Sequence, residues 1–493
     1  MKILFVHPKY PTTYWSYKYA LRFISKKAAN PPLGLITVAS LAPSEWEKRL
    51  IDMNVSKLHD TDIKWADYVF VSAMSVQIQS VKEVIRRCKS LNKKIVAGGP
   101  LFTADHEDFN DIDYLVLNEA EITLPLFFAD LHAGCPQRIY QTTEYAEVKE
   151  SPIPDYSLLD ISKYGMLSIQ YSRGCPFNCE FCDITALFGH KVRLKTTTQI
   201  LLELDYIKNC GWTGPVFFVD DNFIGNKYIL KKELLPAVIR WMQNNKYPFV
   251  FTTEASVNLA DDHELMQMMV KAGFSRVFVG IETPEEASLA ECNKTQNNQR
   301  NLIECVKTIQ SSGMEVMAGF IVGFDNDKPT IFQRQIEFIQ QSGIISAMVG
   351  LLNAPKKTQL YKRLKQEGRI TDEWTGDNTN YSLNFIPAMN KQELIKGYQK
   401  IVHGIYSSKA YYQRVISFLK SFNPPFHVRK KISLKELNAL LKSMIIIGVL
   451  HKNRKYYWEL FFWSLFKKPK LFPLAITYSI YGYHYRKVFK DIS

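Results

Sequence analysis

The sequence predicts an α/β protein in three parts: a doubly wound, Rossmann-like N-terminal domain, a central partial (β/α)6 barrel of the TIM type and a helical C-terminal extension. A chain of 493 residues is too long for one compact domain of ordinary size. Residues 1–140 alternate β-type runs with helical patterns, and six further βα units follow after a break. Alternation of this kind is typical of parallel sheets.

The N-terminal domain, residues 1–140, is predicted from short runs rich in β-branched and aromatic residues. Its predicted strands are Ile3–His7, Arg49–Met53, Tyr68–Ser72, Lys94–Ala97 and Tyr114–Leu117, with helical stretches such as Val81–Leu91 between them. Ligands of doubly wound sheets bind at the carboxyl ends of the strands, where Ser72, Ser75, Gly98 and Gly99 lie. The glycine pair either lets a large planar ligand approach the backbone or forms only a plain βα turn.

A linker over residues 141–164 is predicted from Pro152, Pro154 and the lack of periodicity. The barrel then occupies residues 165–365. Its strands are predicted at Leu167–Tyr171, Val216–Val219, Phe249–Thr253, Arg276–Gly280, Glu315–Phe320 and Ile345–Leu351, and its helices include Thr198–Asn209 and His263–Ala272. The active site of such a barrel lies at the C-terminal ends of the strands. From residue 366 to 493 the β pattern fades, and a helical region with aromatic clusters is expected.

Three of the eight cysteines, Cys175, Cys179 and Cys182, lie within eight residues directly after the first predicted barrel strand. Disulfides are not expected, because the first residues do not resemble a signal peptide and the cytoplasm is the predicted compartment. Thiolates favour zinc or iron–sulfur clusters. A structural zinc site needs four ligands, and His190 is poorly placed to complete this one. A cubane cluster held by three thiolates keeps one iron open, although purely structural cysteines and zinc remain the alternatives.

The C-x-x-x-C-x-x-C spacing, with the aromatic Phe181 before the last cysteine, resembles the signature of radical S-adenosylmethionine enzymes. The resemblance implies a [4Fe–4S] cluster on Cys175, Cys179 and Cys182 whose open iron binds S-adenosylmethionine. One electron from the cluster then produces a 5′-deoxyadenosyl radical, and the protein positions the cofactors. It also implies an external electron donor of the flavodoxin or ferredoxin type.

The same resemblance assigns cofactor contacts to residues at the later strand ends and names no catalytic side chain. These contacts are Phe181, then Asp220 and Asn222 for the methionine amine, Glu254 and Ser256 near the ribose, Glu282 after the fourth strand, and Gly319 and Gly323 beside the adenine. Taken alone, each acid is explained equally well as a helix N-cap or a surface charge.

The pairing of a doubly wound domain with this barrel resembles the cobalamin-binding branch of that family. The residues that carry the resemblance are Asn30–Leu35, the strand end Val96–Pro100 and Asn118–Thr123, although Asn118 replaces the usual glycine. The branch implies cobalamin near Ser72, Ser75, Gly98 and Gly99. Because the motif Asp-x-His-x-x-Gly is absent, the cobalt is expected to have no histidine ligand from the protein.

Residues 356–364 and 384–412 resemble the C-terminal extension of the branch that includes hopanoid C-methylases. This implies methylation of an unactivated carbon in a lipid-like substrate. Three alternatives stay open at this point: a cyclase or oxidative rearrangement without methyl transfer, a modification of RNA or protein, and a non-catalytic sensor.

The positive charge is concentrated in the C-terminal tail, since residues 424–493 carry 14 Lys and Arg against three acids, and the whole chain has a net charge of +14. Aromatic residues at 456–458 and 461–463 lie among these basic residues, a pattern that peripheral membrane helices share. The expected location is therefore cytoplasmic, with contact to the inner face of the membrane. A helical cap on the barrel explains the pattern as well, and nucleic acid is disfavoured because no nucleic-acid motif accompanies the charge.

Overall fold

The computed structural model of the protein describes residues 1–371, 375–377, 379–424 and 434–491. The predicted helical region from 366 to 493 thus includes some residues outside the described ones. The chain order of elements is βα through the first 350 residues and helical afterwards.

The N-terminal sheet has six parallel strands in the order β2-β1-β3-β4-β5-β6. Its strands are β1 (Lys2–His7), β2 (Glu47–Asp52), β3 (Tyr68–Ser72), β4 (Lys94–Gly98), β5 (Tyr114–Val116) and β6 (Ile139–Tyr140). Its helices are α1 (Lys18–Leu21), α2 (Leu33–Leu41), α3 (Asp60–Trp65), α4 (Ile78–Ser90), α5 (Pro100–Asp105) and α6 (Ala120–His132). The strand order reverses at β1, and ligands bind at such a switch point in doubly wound sheets.

The central sheet also has six parallel strands, in the order β14-β13-β12-β11-β10-β7. Its strands are β7 (Leu167–Ile169), β10 (Pro215–Phe218), β11 (Val250–Glu254), β12 (Phe274–Glu282), β13 (Glu315–Val322) and β14 (Ala347–Leu351), while β8 (Ser172–Arg173) and β9 (Arg193–Leu194) form a short antiparallel pair. Its helices are α7 (Ile184–Phe188), α8 (Thr197–Asn209), α9 (Lys227–Ile229), α10 (Leu235–Asn244), α11 (His263–Ala272), α12 (Glu286–Glu291), α13 (Leu302–Ser311) and α14 (Ile331–Ser342). The sheet is an open, six-stranded barrel, which confirms the predicted fold class.

The C-terminal region is helical in the part that the structure describes. Its helices are α15 (Gln359–Gln366), α16 (Lys391–Tyr406), α17 (Ser408–Ser421), α18 (Leu434–Ile446), α19 (Arg454–Lys467) and α20 (Phe472–Asp491). None of the helices in the described ranges is both long enough and apolar enough to cross a bilayer.

One apolar core joins the barrel to the C-terminal helices and to residues near the N-terminus. The ring of Tyr14 stacks on that of Tyr485 at a centroid distance of 4.4 Å, and its hydroxyl lies 2.9 Å from the hydroxyl of Tyr406. Two smaller cores fill the two faces of the N-terminal sheet. The C-terminal region is therefore packed into the body of the protein and is not a loose tail.

The predicted elements differ from the structure at the three shortest strands and in the segment between the two sheets. The sequence prediction missed β6, β8 and β9, because strands of two residues are too short to produce a periodic pattern. The segment between the two sheets is not featureless: it contains single 3-10 turns at Tyr156–Leu158 and Ile161–Lys163, each capped by the side chain of a preceding aspartate.

Candidate active site

The three clustered cysteines lie in the loop that follows β7 and the short strand β8, at the carboxyl end of the barrel sheet. Cys179 is buried, and the amide of Cys182 donates to its carbonyl oxygen at 3.1 Å. The side-chain amide of Gln296 donates to Cys179 Sγ at 3.7 Å. Burial raises the pKa of Cys175 and Cys182, and the nearby Cys179 adds to both shifts. The loop therefore gathers three thiols whose protons a metal would displace.

No group of three or more His, Cys, Asp and Glu side chains in the described ranges converges on the position of a single metal ion. A cluster of four irons is larger than one ion, so its three thiolate ligands need not converge on one point. The donor set of three thiols suits iron and sulfide better than a hard cation. The residues present thus fit a [4Fe–4S] cluster by their chemistry.

Helix α15 of the C-terminal region fixes the cysteine loop from outside the barrel. Arg363 donates to both carboxylate oxygens of Glu180, at 2.7 and 3.1 Å. The amide of Leu360 donates to the carbonyl oxygen of Glu180 at 2.9 Å, and Gln359 donates to the side chain of Asn178 at 2.7 Å. Because Glu180 lies between two of the cysteines, this contact sets the course of the loop.

The N-terminal domain holds the start of the same loop through a buried ion network. Arg173 donates to Glu119 at 2.7 Å and to Glu121 at 2.9 Å, and Arg193 donates to Glu119 at 2.8 Å. All four side chains are at most 11% exposed. Burial alone would raise the pKa of Glu121, but Arg173 outweighs it and holds that pKa at about 2. The network joins the two sheets two residues before Cys175.

Three carboxyl groups, those of Asp220, Asp221 and Glu254, lie together at the ends of β10 and β11. Burial raises the pKa of Asp220 to about 7 and that of Asp221 to about 6. Burial, together with these two acids, raises the pKa of Glu254 to about 8. In the part of the chain that the structure describes, no Lys or Arg lies within ion-pair distance of the three groups. Such a site favours a positively charged ligand.

Two of these acids also shape the cysteine loop. Asp220 accepts hydrogen bonds from the amides of Tyr171 and Ser172, and Asp221 accepts one from the amide of Gly174 at 3.0 Å. Asn222 accepts from the amide of Ser256 at 3.2 Å, which links the ends of β10 and β11. The predicted residues at the ends of β10 and β11 are therefore brought together at the start of the loop.

Glu282 is not free for a ligand, because its carboxylate forms an ion pair of 2.6 Å with Lys294. Burial would lower the pKa of Lys294, but Glu282 and the neighbouring thiols Cys179 and Cys182 outweigh burial and raise it. The ammonium group lies 5.9 Å from the ring centroid of Phe181. Lys294 thus places a buried positive charge beside the cysteine loop, where an anionic group would be stabilised.

The two glycines predicted beside the adenine have different neighbours in the structure. Gly319 packs against Phe278, since a Cβ there would lie 3.0 Å from the ring. Gly323 adopts a positive φ of 111°, its amide donates to Asp327 at 2.8 Å, and a Cβ would meet Leu394 of α16. Gly323 therefore serves a turn against the C-terminal region, and its place beside the adenine stays a prediction.

A cavity of about 1840 Å³ lies between the carboxyl ends of the two sheets. It exceeds the roughly 300–1,000 Å³ of ordinary small-molecule pockets. Its walls include His7, Ser72, Ser75, Gly98, Gly99 and Asn118 from the N-terminal domain, and Gln170, Arg173, Val219 and Met348 from the barrel. The four residues predicted to hold cobalamin all line it, and its size fits a corrin.

The glycine pair is also required by the protein itself. A Cβ on Gly98 would lie 2.5 Å from the carbonyl oxygen of Val116, and one on Gly99, whose φ is 90°, would lie 2.5 Å from the hydroxyl of Ser72. Any side chain would therefore clash with backbone or with β3. The packing of the βα turn is therefore enough to require both glycines. Their lack of side chains also leaves the wall of the cavity open to a ligand at this point.

Several residues that shape the candidate site could not be predicted from the sequence, because their partners are distant along the chain. Arg173 belongs to none of the predicted motifs, and its partners lie more than 50 residues upstream. Lys294 and Gln296 follow α12 and carried no motif. His7 also lines the cavity, and burial lowers its pKa. The pattern that identified the site was the local cysteine spacing alone.

Comparison with known families assigns three segments of the chain. Residues 24–128 match the B12 binding domain, residues 169–339 match the Radical SAM superfamily, and residues 358–493 match a domain of unknown function, DUF4070. These segments correspond to the N-terminal sheet, the barrel and the C-terminal helices.

Known proteins resemble the chain over almost its full length. An uncharacterized methyltransferase of Synechocystis sp. is 40% identical over 98% of this chain and 91% of its own length. The hopanoid C-2 methylase of Rhodopseudomonas palustris is 37% identical over 93% of this chain and 88% of its own length. A solved cobalamin-dependent S-adenosylmethionine radical enzyme with aqua-cobalamin bound shares the fold, with a TM-score of 0.61, 15% identity, and coverage of 100% of this chain and 80% of that one.

Sequence identity of this extent decides the family, and the two matched domains decide the cofactors. The chain belongs to the cobalamin-dependent radical S-adenosylmethionine methylases, the family of hopanoid C-2 methylase, and it uses a [4Fe–4S] cluster, S-adenosylmethionine and cobalamin.

Proposed function

We propose that this enzyme transfers a methyl group to an unactivated carbon of a lipid-like substrate. The observation that carries the proposal is the large cavity shared by the strand ends of the N-terminal sheet and the barrel side that bears the cysteine loop. A single shared cavity would let hydrogen removal and methyl delivery occur at one bound carbon, without release between the steps. The lipid-like class is supported by the likeness to hopanoid C-2 methylase.

The cofactors supply the radical chemistry when bound: the reduced cluster cleaves S-adenosylmethionine to a 5′-deoxyadenosyl radical, and cobalamin supplies the methyl group. We propose that Cys175, Cys179 and Cys182 hold the cluster. Glu180, held by Arg363, keeps the loop between the last two cysteines in place. Ser72, Ser75, Gly98 and Gly99 form the wall against which cobalamin would bind.

The carboxyl cluster is proposed to attract the positively charged end of S-adenosylmethionine. Asp220 and Asn222 are supported as neighbours of the methionine amine, because both lie at the end of β10 beside the loop. Glu254 and Ser256 are supported as contacts on the ribose side, because Glu254 ends β11 and Ser256 follows two residues later. Lys294, held by Glu282, offers a positive charge to the carboxylate end of the cofactor. Phe181, Gly319 and Gly323 are proposed as further contacts of S-adenosylmethionine, the two glycines on its adenine side.

Glu254→Gln is expected to stabilise the protein without S-adenosylmethionine and to weaken its binding of that cofactor. The pKa of Glu254 is about 8 in the folded state against 4.5 for an ordinary glutamate. The carboxylate therefore costs stability above the unfolded pKa, and the cost grows as the pH rises from about 4.5 to about 8. We expect the variant to gain on the order of 4 kcal/mol at pH 8 and little at pH 5. Its affinity for S-adenosylmethionine is expected to fall about tenfold.

Thermal unfolding at the two pH values and equilibrium dialysis of S-adenosylmethionine measure these effects. Glu337→Gln is the matched control, because Glu337 is an exposed carboxylate on α14 away from the cluster. If the stability of Glu254→Gln and that of the wild type depended on pH in the same way, Glu254 would not have the raised pKa described above. Unchanged affinity would contradict the cofactor role.

We propose domain boundaries at residues 1–140, 141–164, 165–365 and 366–493. The first two boundaries are supported by the end of β6 at Tyr140 and the start of β7 at Leu167, whereas the last lies near the end of α15 at Gln366, a helix that the C-terminal family match from residue 358 includes. An electron donor of the flavodoxin or ferredoxin type is proposed, because the cluster needs one electron per cleavage. A cytoplasmic location at the inner face of the membrane is proposed, supported by eight free cysteines and the basic C-terminal region.

The test uses S-adenosylmethionine whose methyl group carries deuterium. The anaerobically reconstituted enzyme is incubated with the labelled cofactor, a strong reductant and a lipid extract, and lipids, RNA and protein are analysed separately by mass spectrometry. We expect a lipid that has gained one trideuteromethyl group, together with 5′-deoxyadenosine. A changed lipid without the label would instead identify a cyclase or rearrangement, and label confined to RNA or protein would contradict the lipid-like substrate.

A further inference from the structure

We infer that the protein binds the surface of a bilayer that contains anionic lipids through one apolar face of its C-terminal helices. This α18–α19 face consists of Leu434, Leu437, Leu441 and Ile445 on α18, Val449 and Leu450 directly after it, and Phe462, Leu465 and Phe466 on α19. The inference extends the proposed function, because a lipid-like substrate is met at a bilayer.

The exposed apolar side chains of the protein are concentrated on this face. Nine of the nineteen large apolar side chains that are exposed in the described ranges lie between Leu434 and Phe466. Ile445 is 57% exposed, Leu450 is 72% exposed and Phe466 is 74% exposed. Single exposed apolar residues need no explanation, but a contiguous group of this size marks a contact surface.

The spacing on α18 places these residues along one side of the helix. Leu434, Leu437, Leu441 and Ile445 follow each other at intervals of three and four residues. The opposite side is buried and contributes Ala439 and Ser443 to the interior of the protein, and Ile447 directly after the helix is buried as well. Helix α18 therefore has a packed side and an apolar side that no other described element covers.

A contact between α19 and the turn that follows α18 joins the two groups of exposed residues. Trp458 of α19 donates to the carbonyl oxygen of Gly448 at 2.9 Å, next to Val449 and Leu450. Its ring stacks on Phe462 at 5.6 Å, and Phe462 stacks on Phe466 at 6.3 Å. The apolar side of α18 thus continues through its C-terminal end into the exposed rings of α19.

The aromatic residues predicted from the sequence to contact the membrane lie mostly inside. Tyr457 is fully buried and its hydroxyl lies 2.8 Å from the hydroxyl of Ser443. Tyr456, Trp458, Phe461 and Trp463 pack against the core. These residues form the helical cap that was the alternative explanation, and the surface available to a membrane is the α18–α19 face.

The charge around this face fits anionic headgroups. Residues 434–470 carry eight Lys and Arg against two acids, Glu436 and Glu459. Lys452, Arg454 and Lys455 are exposed at the start of α19, and Lys467 and Lys470 are exposed at its end. Lysine and arginine beside an anionic bilayer contribute about 1 kcal/mol each. A second copy of the chain is a less favourable partner for this face. Pairing the face with itself would bring two basic clusters together, and like charges repel.

The experiment measures co-sedimentation of the full-length holoenzyme with vesicles of phosphatidylcholine alone or mixed with phosphatidylglycerol. We expect binding to the mixed vesicles that weakens as salt is added. The double variant Leu441→Ser, Ile445→Ser is expected to bind about tenfold more weakly or worse, since two apolar side chains no longer enter the bilayer. Leu126→Ser and Leu202→Ser are matched controls, because these residues are 55% and 50% exposed elsewhere on the protein.

The thermal midpoint and the visible spectrum of bound cobalamin establish that the variants are folded. The inference is overturned if the wild type stays in the supernatant with mixed vesicles, or if the double variant binds them as well as the controls do. It is also overturned if light scattering shows a dimer that the double variant converts to a monomer. Methylation of detergent-dispersed lipid is measured separately, so failure of membrane binding is distinguished from failure of the proposed function.

Discussion

Cys179→Ser is expected to give a folded protein that assembles no [4Fe–4S] cluster and forms no 5′-deoxyadenosine. Cys179 is the buried middle residue of the cysteine loop, and the side chain of Gln296 donates to its sulfur. A serine oxygen is a harder ligand than a thiolate and is protonated near neutral pH, so it holds iron poorly in a cluster. Because the proposed mechanism has no other source of the radical, the rate is expected to fall roughly a thousandfold or more.

Iron and sulfide content after anaerobic reconstitution, and chromatography of 5′-deoxyadenosine, measure this effect. Cys292→Ser is the sharpest control, since Cys292 is buried beside the loop and its carbonyl oxygen accepts from the amide of Glu180 at 2.9 Å. We expect this control to retain its iron and its activity. If Cys292→Ser lost the cluster as well, Cys292 would be a fourth ligand, and the open iron on which cofactor binding depends would not exist.

The fold was predictable wherever the pattern of the sequence is local. Helix α11 begins and ends where predicted, because Asp262 caps its first turn and Gly273 ends it with a φ of 103°. The buried strands of both sheets produce short apolar runs between helices, and every predicted strand is present. The fold class and the cofactor set are therefore confirmed, while two-residue strands such as β6 leave no such pattern.

The site was predictable only in part, for the same physical reason. The three cysteines are close in sequence, so their spacing alone identified the chemistry. The residues that hold them are not: Arg363 follows Glu180 by 183 residues, and Arg173 follows Glu119 by 54. Contacts of this kind depend on how the domains dock, and no periodicity in a single sequence encodes docking. The apolar face of α18 was not predicted although its pattern is local, because hydrophobic spacing does not show which side of a helix is packed.

Glu119→Gln is expected to destabilise the protein more than any change at an exposed ion pair. Glu119 is 1% exposed and accepts from both Arg173 and Arg193. Replacing the carboxylate by an amide leaves Arg193, which is 5% exposed, without its only carboxylate partner in the described ranges. Breaking a buried ion pair by neutralising one partner costs about 3–5 kcal/mol, because the other charge stays buried and unpaired.

The damage is expected at the junction of the two sheets. Arg173 keeps Glu121 as a partner, so the loop before Cys175 is weakened but retained. Arg193 also donates to the carbonyl oxygen of Phe188 at 2.8 Å, which limits its movement. We therefore expect a lower thermal midpoint, by on the order of 10 °C, and faster loss of bound cobalamin from the cavity between the sheets.

Scanning calorimetry of the holoenzyme measures the first effect, and dialysis followed by visible spectroscopy measures the second. Asp60→Asn is the matched control, because its pair with Arg87 has side chains 59% and 26% exposed and should change stability by less than about 1 kcal/mol. The double variant Glu119→Gln, Arg193→Met removes both charges and is expected to recover part of the loss. Strictly additive losses would mean that Glu119 and Arg193 act independently, and the buried network would then not be what joins the cobalamin domain to the barrel.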